Sequence, residues 1–278
     1  MKIGFIGAGR VGCSLGKYFT ENGAQLSGYY SRSGSSAREA AEFTASKAFD
    51  NIEGLIAASD AVFITVPDGS IREVYTSAAD LISGKLLCHC SGAMSARDAF
   101  PDIEKYGAEG YSIHPLFPVS SRFEAYKGLK TAFFCIEGDS SHIDMWRELL
   151  EGAGNTVKVI SADVKSKYHA ACAVSSNLVC ALVYESVSLL TECGFSEDEA
   201  YAALRPLAMS NIERIFEVGA EAALTGPVER NDTGTVKKHL ACLSDAEMYR
   251  AVSLRLIELA NKKNPDTDYS AMIGLLNK

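Results

Sequence analysis

Residues 2–12 read Lys-Ile-Gly-Phe-Ile-Gly-Ala-Gly-Arg-Val-Gly, a short apolar strand that runs directly into the pattern Gly-x-Gly-x-x-Gly. A helix is predicted to follow from Cys13 to Thr20. In this order Gly7 allows a tight turn, Gly9 lets the backbone approach a diphosphate, and Gly12 lets the helix pack closely on the strand. The stretch predicts a dinucleotide site in which the start of the helix faces the phosphates. The predicted cofactor contacts are Gly7, Ala8, Gly9, Arg10, Val11 and Gly12.

Strand-like and helix-like segments alternate through the first half of the chain, which predicts a parallel sheet with helices on both faces. Further strands are expected at residues 26–30, 61–66, 85–90, 111–113, 131–137 and 156–160. After Ile160 the strand signal ends, and helical patterns with capping boxes follow. We therefore predict an α/β protein with a Rossmann-type dinucleotide-binding domain over residues 1–161. An all-helical domain for substrate binding and dimerisation is predicted over residues 162–278.

Composition argues against several classes of protein. The net charge of -8, without a basic run, excludes a nucleic-acid-binding surface. The eight cysteines form no C-x-x-C pair, so we expect no metal site and interpret most of them as small buried residues in a reducing cytoplasm. The N-terminus does not resemble a signal peptide. The apolar stretch at residues 170–183 is too short to span a bilayer and predicts a buried helix, so no membrane association is expected.

The end of the second predicted strand bears on the choice of nucleotide. An NAD site usually presents a carboxylate to the ribose about 20 residues after the glycines. Here the chain reads Tyr-Tyr-Ser-Arg-Ser at residues 29–33, with two hydroxyls and a guanidinium suited to a 2′-phosphate. We therefore expect Ser31, Arg32 and Ser33 to favour NADP, with NAD possible. The alternative is that Arg32 is a solvated loop residue.

Two further loops follow predicted strands, where ligands of open α/β sheets bind. Residues 65–68 read Thr-Val-Pro-Asp, and residues 90–92 read Cys-Ser-Gly. We predict cofactor contacts from Val66, Pro67 and Ser91, and substrate contact from Ser91 as well. The alternative is that both segments are ordinary turns.

A polar stripe marks the long helical pattern after residue 162. Lys165, His169 and Ser176 fall on one sector of the helix, with Asn177 at its rim. Because unpaired polar groups are costly to bury, the stripe predicts an active site or a subunit contact. Alternatively, Lys165 is solvated and His169 is a hydrogen-bonded structural group.

Two other segments are candidates for substrate binding. Residues 225–232 read Thr-Gly-Pro-Val-Glu-Arg-Asn-Asp, which would place the guanidinium of Arg230 beside Asp232 to bind an anion. The alternative is a turn with a surface ion pair. Residues 114–118, His-Pro-Leu-Phe-Pro, predict an irregular loop that either aims His114 into a cleft or covers the core.

Together these motifs resemble a family of oxidoreductases with an N-terminal Rossmann-like domain and a C-terminal domain of unknown function. The motifs are residues 7–12, His114-Pro-Leu, Lys165-x-x-Tyr-His-Ala-Ala with Asn177, and Thr225-Gly-Pro-x-x-Arg-x-Asp-x-x-Thr-x-x-x-His-Leu. The architecture is similar to that of pyrroline-carboxylate reductase, ketopantoate reductase and the β-hydroxyacid dehydrogenases, with a helical domain like that of 6-phosphogluconate dehydrogenase. Asn231 departs from the Gly expected there, but Asn tolerates a positive φ.

The resemblance implies an NADP-dependent oxidoreductase acting on a C=O or C=N group of a small carboxylate-bearing substrate. Lys165 matches a lysine that handles the reacting oxygen in the β-hydroxyacid dehydrogenases, whereas His169 replaces an asparagine. We therefore expect Lys165 to polarise the reacting atom, His169 to exchange a proton, and Asn177, Ser91 and Arg230 to position the substrate. A homodimer through the helical domain is implied. The alternatives are an NADP-binding sensor or scaffold without catalysis, and a deazaflavin-dependent enzyme.

Overall fold

An eight-stranded sheet organises the first part of the chain in the computed structural model, which describes residues 1–278. The strands are β1 (Lys2–Ile6), β2 (Gln25–Tyr30), β3 (Lys47–Ala48), β4 (Ala61–Ile64), β5 (Leu86–His89), β6 (Glu109–Leu116), β7 (Phe133–Gly138) and β8 (Thr156–Val159). Their order is β3-β2-β1-β4-β5-β6-β7-β8, and every neighbouring pair is parallel except β6 and β7. The predicted α/β fold with a Rossmann-type sheet is confirmed, with one antiparallel pair that the sequence did not predict.

Helices connect the strands and then form the rest of the chain. They are α1 (Arg10–Glu21), α2 (Gly34–Phe43), α3 (Ile52–Ala57), α4 (Asp68–Ala78), α5 (Ala96–Ala99), α6 (Ile143–Gly152), α7 (Lys165–Ser175), α8 (Asn177–Glu192), α9 (Glu197–Val218), α10 (Ala220–Ala223), α11 (Thr233–Cys242), α12 (Glu247–Lys263) and α13 (Ser270–Leu276). After β8 no further strand occurs, as predicted. The two-residue strand β3 and the short helix α3 were not predicted, because neither is long enough to show a periodic pattern.

The predicted irregular loop at His114 is wrong, because β6 continues through Pro115 to Leu116. Proline removes a ladder donor and is tolerated in strands mainly where one side is unpaired. Here β5 pairs with β6 only as far as Ser112, so Pro115 has β7 as its sole neighbour. The strand can therefore carry proline and place His114 at a fixed register opposite Cys135.

Alternation along the strands builds one apolar core on each face of the sheet. On β4, Phe63 belongs to one buried cluster, while Val62 and Ile64 belong to the other. Successive strand residues point to opposite faces, so a strand covered on both sides is apolar throughout. Phe63 also contacts Trp146 of α6 edge to face, with ring centroids 5.5 Å apart. The sheet therefore closes its core within the chain.

The chain divides into two compact units, Met1–Val179 and Cys180–Lys278. The domain boundary predicted at residue 161 lies just after β8, where the strands end. The compact unit extends beyond that point because α7 bonds to β6, through Lys165 to Ser112 and through Tyr168 to His114.

The second unit has a small core formed by α11, α12 and α13. Val236, Ile257 and Met272 are among its buried residues. In contrast, α8 and α9 bury a single residue each, Val187 and Ala200. Their apolar side chains are otherwise largely exposed in the single chain.

The prediction of a buried helix over residues 170–183 is wrong for this chain. Leu178 is 54% exposed and Tyr184 is 71% exposed. The helical run Ala162–Glu192 has 31 residues and contains an 18-residue window with a mean hydropathy of 1.5, so its length and composition would allow it to cross a membrane. The expectation that the helix is too short to span a bilayer is therefore also wrong, because the helical run extends beyond residues 170–183 at both ends.

Only three of the eight cysteines are buried, Cys13, Cys88 and Cys135. The expectation that most are buried is thus wrong. The exposed ones belong to the second unit: Cys180 lies on α8, Cys193 directly follows α8, and Cys242 ends α11.

Candidate active site

The glycine-rich turn between β1 and α1 has the geometry that its sequence predicts. Gly7 adopts φ +110°, and a Cβ on it would lie 2.7 Å from the backbone oxygen of Thr65. A Cβ on Gly12 would lie 2.3 Å from the Gly7 oxygen. Both positions therefore need glycine, Gly7 for its backbone conformation and Gly12 for the close approach of helix to strand.

Gly9 differs from its two neighbours, because a Cβ there would meet nothing within 4 Å. The space is continuous with a cavity of about 330 Å³ at the carboxyl ends of β1 and β4. This cavity includes the predicted residues Gly7, Ala8, Gly9, Ser31, Arg32, Val66 and Pro67. Helix α1 begins at Arg10 without a side-chain cap, so its first amides, including that of Val11, are available to an anion.

A second cavity of about 280 Å³ adjoins the end of β2. It is lined by Ser31, Arg32, Arg38 and Asp50, among others. Arg38, on α2, was not predicted to take part, because its proximity depends on the turn that Ser33 makes. Ser33 caps α2 by accepting a hydrogen bond from the Ser36 amide at 3.4 Å. It therefore shapes the loop, while the two guanidinium groups provide the positive charge.

Arg122, in the loop after β6, also contacts the glycine-rich turn and was missed by the sequence analysis. Its Nε donates to the Ala8 carbonyl at 2.8 Å, and its Nη2 donates to the Ser36 carbonyl at 2.7 Å. It also forms an ion pair with Glu39. No local pattern reveals this role, since Arg122 lies more than 100 residues from Ala8 in sequence.

Ser91 is buried after β5 and its hydroxyl is fully engaged. The hydroxyl donates to Asp68 at 2.6 Å and accepts from the amides of Ala93 and Met94. The Ser91 amide donates to Nδ1 of His89 at 3.1 Å. These bonds fix the loop between β5 and α5 and join it to the start of α4, so in this arrangement Ser91 acts on the shape of the loop.

Helix α7 lies along β6 and brings together the residues of the predicted polar stripe. Ser112 and His114 point to the same side of the sheet because they are two residues apart. The Lys165 ammonium donates to Ser112, and Nδ1 of His114 lies 2.6 Å from the Tyr168 hydroxyl. Lys165 and Tyr168 are three residues apart on the helix and so share a face. Lys165 is thus buried in this cluster and is not solvated.

The accessible part of the cluster is a cavity of about 370 Å³ between β6 and α7. Its lining includes His114, Phe117, His169, Cys172, Ser176 and Asn177. Gly92 closes one side: a Cβ on it would lie 2.6 Å from His169 Cδ2 and 2.9 Å from His114 Nε2. Both imidazoles therefore approach the same glycine, and Asn177 lines the same cavity. Lys165 is buried at Ser112 and is not part of the lining.

The electrostatics of this cluster favour neutral imidazole. Burial, and then the charge of Lys165, lower the pKa of His114 to about 4. Burial also lowers the pKa of Lys165, whereas the nearby carboxylate of Glu137 opposes that change. Burial in turn raises the pKa of Glu137, whose carboxylate accepts from the Ala96 amide at 2.7 Å.

The other predicted substrate residues lie in the second unit. Asp232 caps α11 by accepting from the amide and hydroxyl of Thr235, at 2.9 and 2.6 Å. Arg230 is exposed and forms no ion pair. Asn231 adopts φ +55°, so the left-handed conformation predicted for this position is confirmed. The loop therefore has the predicted shape, and within this unit Asp232 has a capping role.

Comparison with protein-family models matches both halves of the chain. Residues 1–115 match a Rossmann-like domain, and residues 132–256 match a domain of unknown function, DUF2520. No curated protein matches the chain. The domain combination that the sequence motifs resembled is thereby confirmed.

Solved structures share the fold over nearly their whole length. A protein from Thermotoga maritima is 27% identical, with a TM-score of 0.76, and the match covers 94% of this chain and 99% of that one. An imine reductase from Myxococcus stipitatus in complex with NADP+ is 16% identical, with a TM-score of 0.62 and coverage of 100% and 93%. A Plasmodium falciparum pyrroline carboxylate reductase with NADP bound is 14% identical, with a TM-score of 0.62 and coverage of 98% of both chains.

The chain therefore combines an N-terminal Rossmann-like domain with a DUF2520 domain.

Proposed function

We propose that this protein is an NADP-dependent oxidoreductase. The observation that carries the proposal is the open space at Gly9 between the strained turn at Gly7 and the uncapped start of α1. A diphosphate fits such a place because backbone amides and the helix dipole both favour negative charge. The two similar reductases bound to NADP support the same assignment of cofactor.

The preference for NADP over NAD rests on the cavity at the end of β2. Arg32 and Arg38 line this cavity, where the 2′-phosphate would lie. Two positive charges there outnumber the one negative charge of Asp50. Guanidinium groups match phosphate geometry, and no carboxylate follows β2 directly to accept from a ribose hydroxyl. We expect NADPH to bind more tightly than NADH.

Catalysis is favoured over a sensing role by the polar cluster at the carboxyl ends of β5 and β6. When bound, the nicotinamide would supply hydride transfer, and the protein would supply orientation, charge and the exclusion of water. In this proposal His169 exchanges the proton, and Asn177 orients a small substrate in the cavity they line. Lys165 acts from beneath, through its bond to Ser112 and its positive charge. The role of Arg230 in binding the substrate carboxylate rests on the sequence resemblance.

The protein is proposed to act as a cytoplasmic homodimer. The exposed apolar residues of α8 and α9 are too numerous to be scattered surface positions, and a second copy of the chain would cover them. A groove of about 450 Å³, lined by Leu204, Leu207 and Leu256 among others, lies in the same unit. The number of cysteines without a C-x-x-C pair supports a reducing compartment.

Titration of the wild-type protein with NADPH and with NADH, followed by nicotinamide fluorescence, tests the proposal. Replacing both Arg32 and Arg38 by alanine should weaken NADPH binding by about tenfold to a hundredfold and leave NADH binding nearly unchanged, since only the 2′-phosphate contacts are removed. Arg97→Ala, at another exposed arginine of the same unit, is the control. Absence of binding to either nucleotide at millimolar concentration would contradict the proposal.

A further inference from the structure

The contact between Tyr168 and His114 fixes one face of the substrate cavity. The two side chains meet at 2.6 Å, with their rings perpendicular at an interplanar angle of 88°. His114 is held by the register of β6 and β7, and Tyr168 by the packing of α7 on β6. Both side chains therefore extend from regular secondary structure. Their contact consequently fixes the orientation of the His114 ring.

The direction of this hydrogen bond follows from the chemistry of the two groups. Burial raises the pKa of Tyr168, with the thiols of Cys135 and Cys172 adding to the effect, so the phenol keeps its proton. The lowered pKa of His114, about 4, keeps its imidazole neutral near pH 7. A neutral phenol donates more readily than a neutral imidazole, and an imidazole nitrogen accepts better than a phenol oxygen. Tyr168 therefore donates to Nδ1, and the single imidazole proton of His114 resides on Nε2.

His114 lines the cavity. Its Nε2 atom lies 2.9 Å from the position that a Cβ on Gly92 would take, so the ring packs directly against this glycine, and the side-chain hydrogen bond of His114 is made by Nδ1 alone. His169 lines the same cavity from α7. The cavity thus presents a fixed N–H donor and a second imidazole, with the Lys165 ammonium beneath them.

We propose that Tyr168 is a positioning residue that holds His114 as a hydrogen-bond donor, and that the site consequently acts on a carbonyl oxygen and not on an iminium. This inference rests on the proposed function. A carbonyl oxygen has lone pairs that accept from the Nε2 proton of His114, and it gains negative charge during reduction. An iminium nitrogen has no lone pair to accept and carries a positive charge, which Lys165 would repel.

The atoms balance for carbonyl reduction. A hydride from the reduced nicotinamide forms a C–H bond at the carbonyl carbon, and the nicotinamide is oxidised by two electrons. The electron pair of the C=O π bond moves to oxygen, where the His114 donor stabilises it. The oxygen then takes a proton from the imidazole of His169, which recovers one from solvent, and the product is an alcohol.

Nitrogen-15 NMR of the histidine side chains in the wild-type protein without nucleotide tests the tautomer directly. We expect the proton of His114 on Nε2 in the wild-type protein. In Tyr168→Phe the acceptor role of Nδ1 is lost, and both tautomers should be populated. Tyr106→Phe, an exposed tyrosine of the same unit, is the matched control and should leave the His114 signals unchanged. A proton on Nδ1 in the wild-type protein, or an identical tautomer in Tyr168→Phe, would overturn the proposal.

Turnover of a panel of 2-oxo acids and cyclic imines with NADPH provides the second readout. We expect oxo-acid reduction, a decrease in kcat of about tenfold to a hundredfold in Tyr168→Phe, and NADPH affinity within about twofold of wild type. His114→Gln, which keeps a donor, should retain more activity than His114→Phe. Reduction of imines alone would overturn the proposal. If neither class is reduced, the tautomer measurement decides it, and loss of NADPH binding would count against the proposed function only.

Discussion

The two compact units of this chain differ in how completely they bury their apolar surface. In the first unit, the sheet carries apolar residues on both faces, and helices of the same chain cover them. In the second unit, α11 to α13 enclose a small core, while α8 and α9 bury one residue each. The first unit therefore buries its apolar surface within one chain, whereas the second leaves the apolar faces of two helices exposed.

The contrast is sharpest along one helical run. In α7, Lys165 and Tyr168 are fixed by polar bonds to β6, whereas in α8 Leu178 and Tyr184 are exposed. The run is interrupted at Ser176, between the two helices. Two helices of similar composition thus differ in burial, and composition alone does not distinguish a helix that packs on the sheet from one whose apolar face is exposed.

The largest expected effect comes from placing charge on the exposed face of α9. Leu207 and Phe216 are 70% and 83% exposed in the single chain. We expect the wild-type protein to have twice the chain mass of 29.8 kDa in light scattering without detergent, and Leu207→Glu with Phe216→Glu to reduce it to the chain mass. Charges buried in an interface without partners are strongly unfavourable.

The matched control for that experiment is Leu81→Glu, an exposed leucine of the first unit that is 38% exposed. It should leave the mass unchanged. A monomeric wild-type protein at micromolar concentration would contradict the comparison, and a protein that stays in solution only with detergent would point to a membrane as the partner of α8.

A smaller effect is expected from adding a methyl group at Gly12, in the tightly packed turn of the first unit. A Cβ on Gly12 would lie 2.3 Å from the Gly7 oxygen, and this oxygen belongs to backbone that cannot move freely. Overpacking of this kind costs roughly 1–3 kcal/mol. We expect Gly12→Ala to lower the Tm by about 5 °C in calorimetry. Gly152→Ala, where a Cβ meets nothing within 4 Å, should leave it unchanged. Equal Tm values for the two variants would show that the turn is less tightly packed than described.

Acid should destabilise the first unit through two of its histidines. Burial, and then the charge of Lys165, lower the pKa values of His89 and His114 from 6.5 to about 3 and about 4. The unfolded chain therefore takes up protons first as the pH falls below 6.5, and the free energy of unfolding decreases from there toward pH 4. Each group contributes a slope of about 1.4 kcal/mol per pH unit.

Urea unfolding of His114→Gln between pH 7 and pH 4 measures this contribution. The variant should lose stability less steeply than the wild-type protein, by the slope of one histidine. His142→Gln, at an exposed histidine of the same unit, is the control. Parallel curves for His114→Gln and wild type would contradict the buried, neutral state of His114.

The sequence predicts the first unit well because its signals are local. The glycine-rich turn and most strands are encoded within short windows. In the second unit, the positive φ of Asn231 likewise follows from the properties of its residue type. His169 and Asn177 of the predicted polar stripe line the same cavity between β6 and α7, and their roles stay a prediction.

What the sequence does not reveal depends on pairing between distant segments. Arg122 reaches Ala8 only because the loop after β6 returns to the first turn, and Arg38 joins Arg32 only through the start of α2. The partnership of Tyr168 with His114 requires the register of β6 against α7. We did not predict that α8 is exposed, because an apolar pattern indicates only that a helix face is suited to burial. The pattern does not indicate what covers that face.

The most direct test of the central claim uses Gly9, where a Cβ fits the protein but would occupy the space offered to a diphosphate. Its φ of -79° is accessible to alanine, so the fold should tolerate the change. For Gly9→Ala we predict a Tm equal to that of the wild-type protein and a Kd for NADPH at least about tenfold higher, equivalent to about 1.4 kcal/mol. An unchanged Kd, with the wild-type protein binding NADPH, would contradict the assignment of this turn as the diphosphate site.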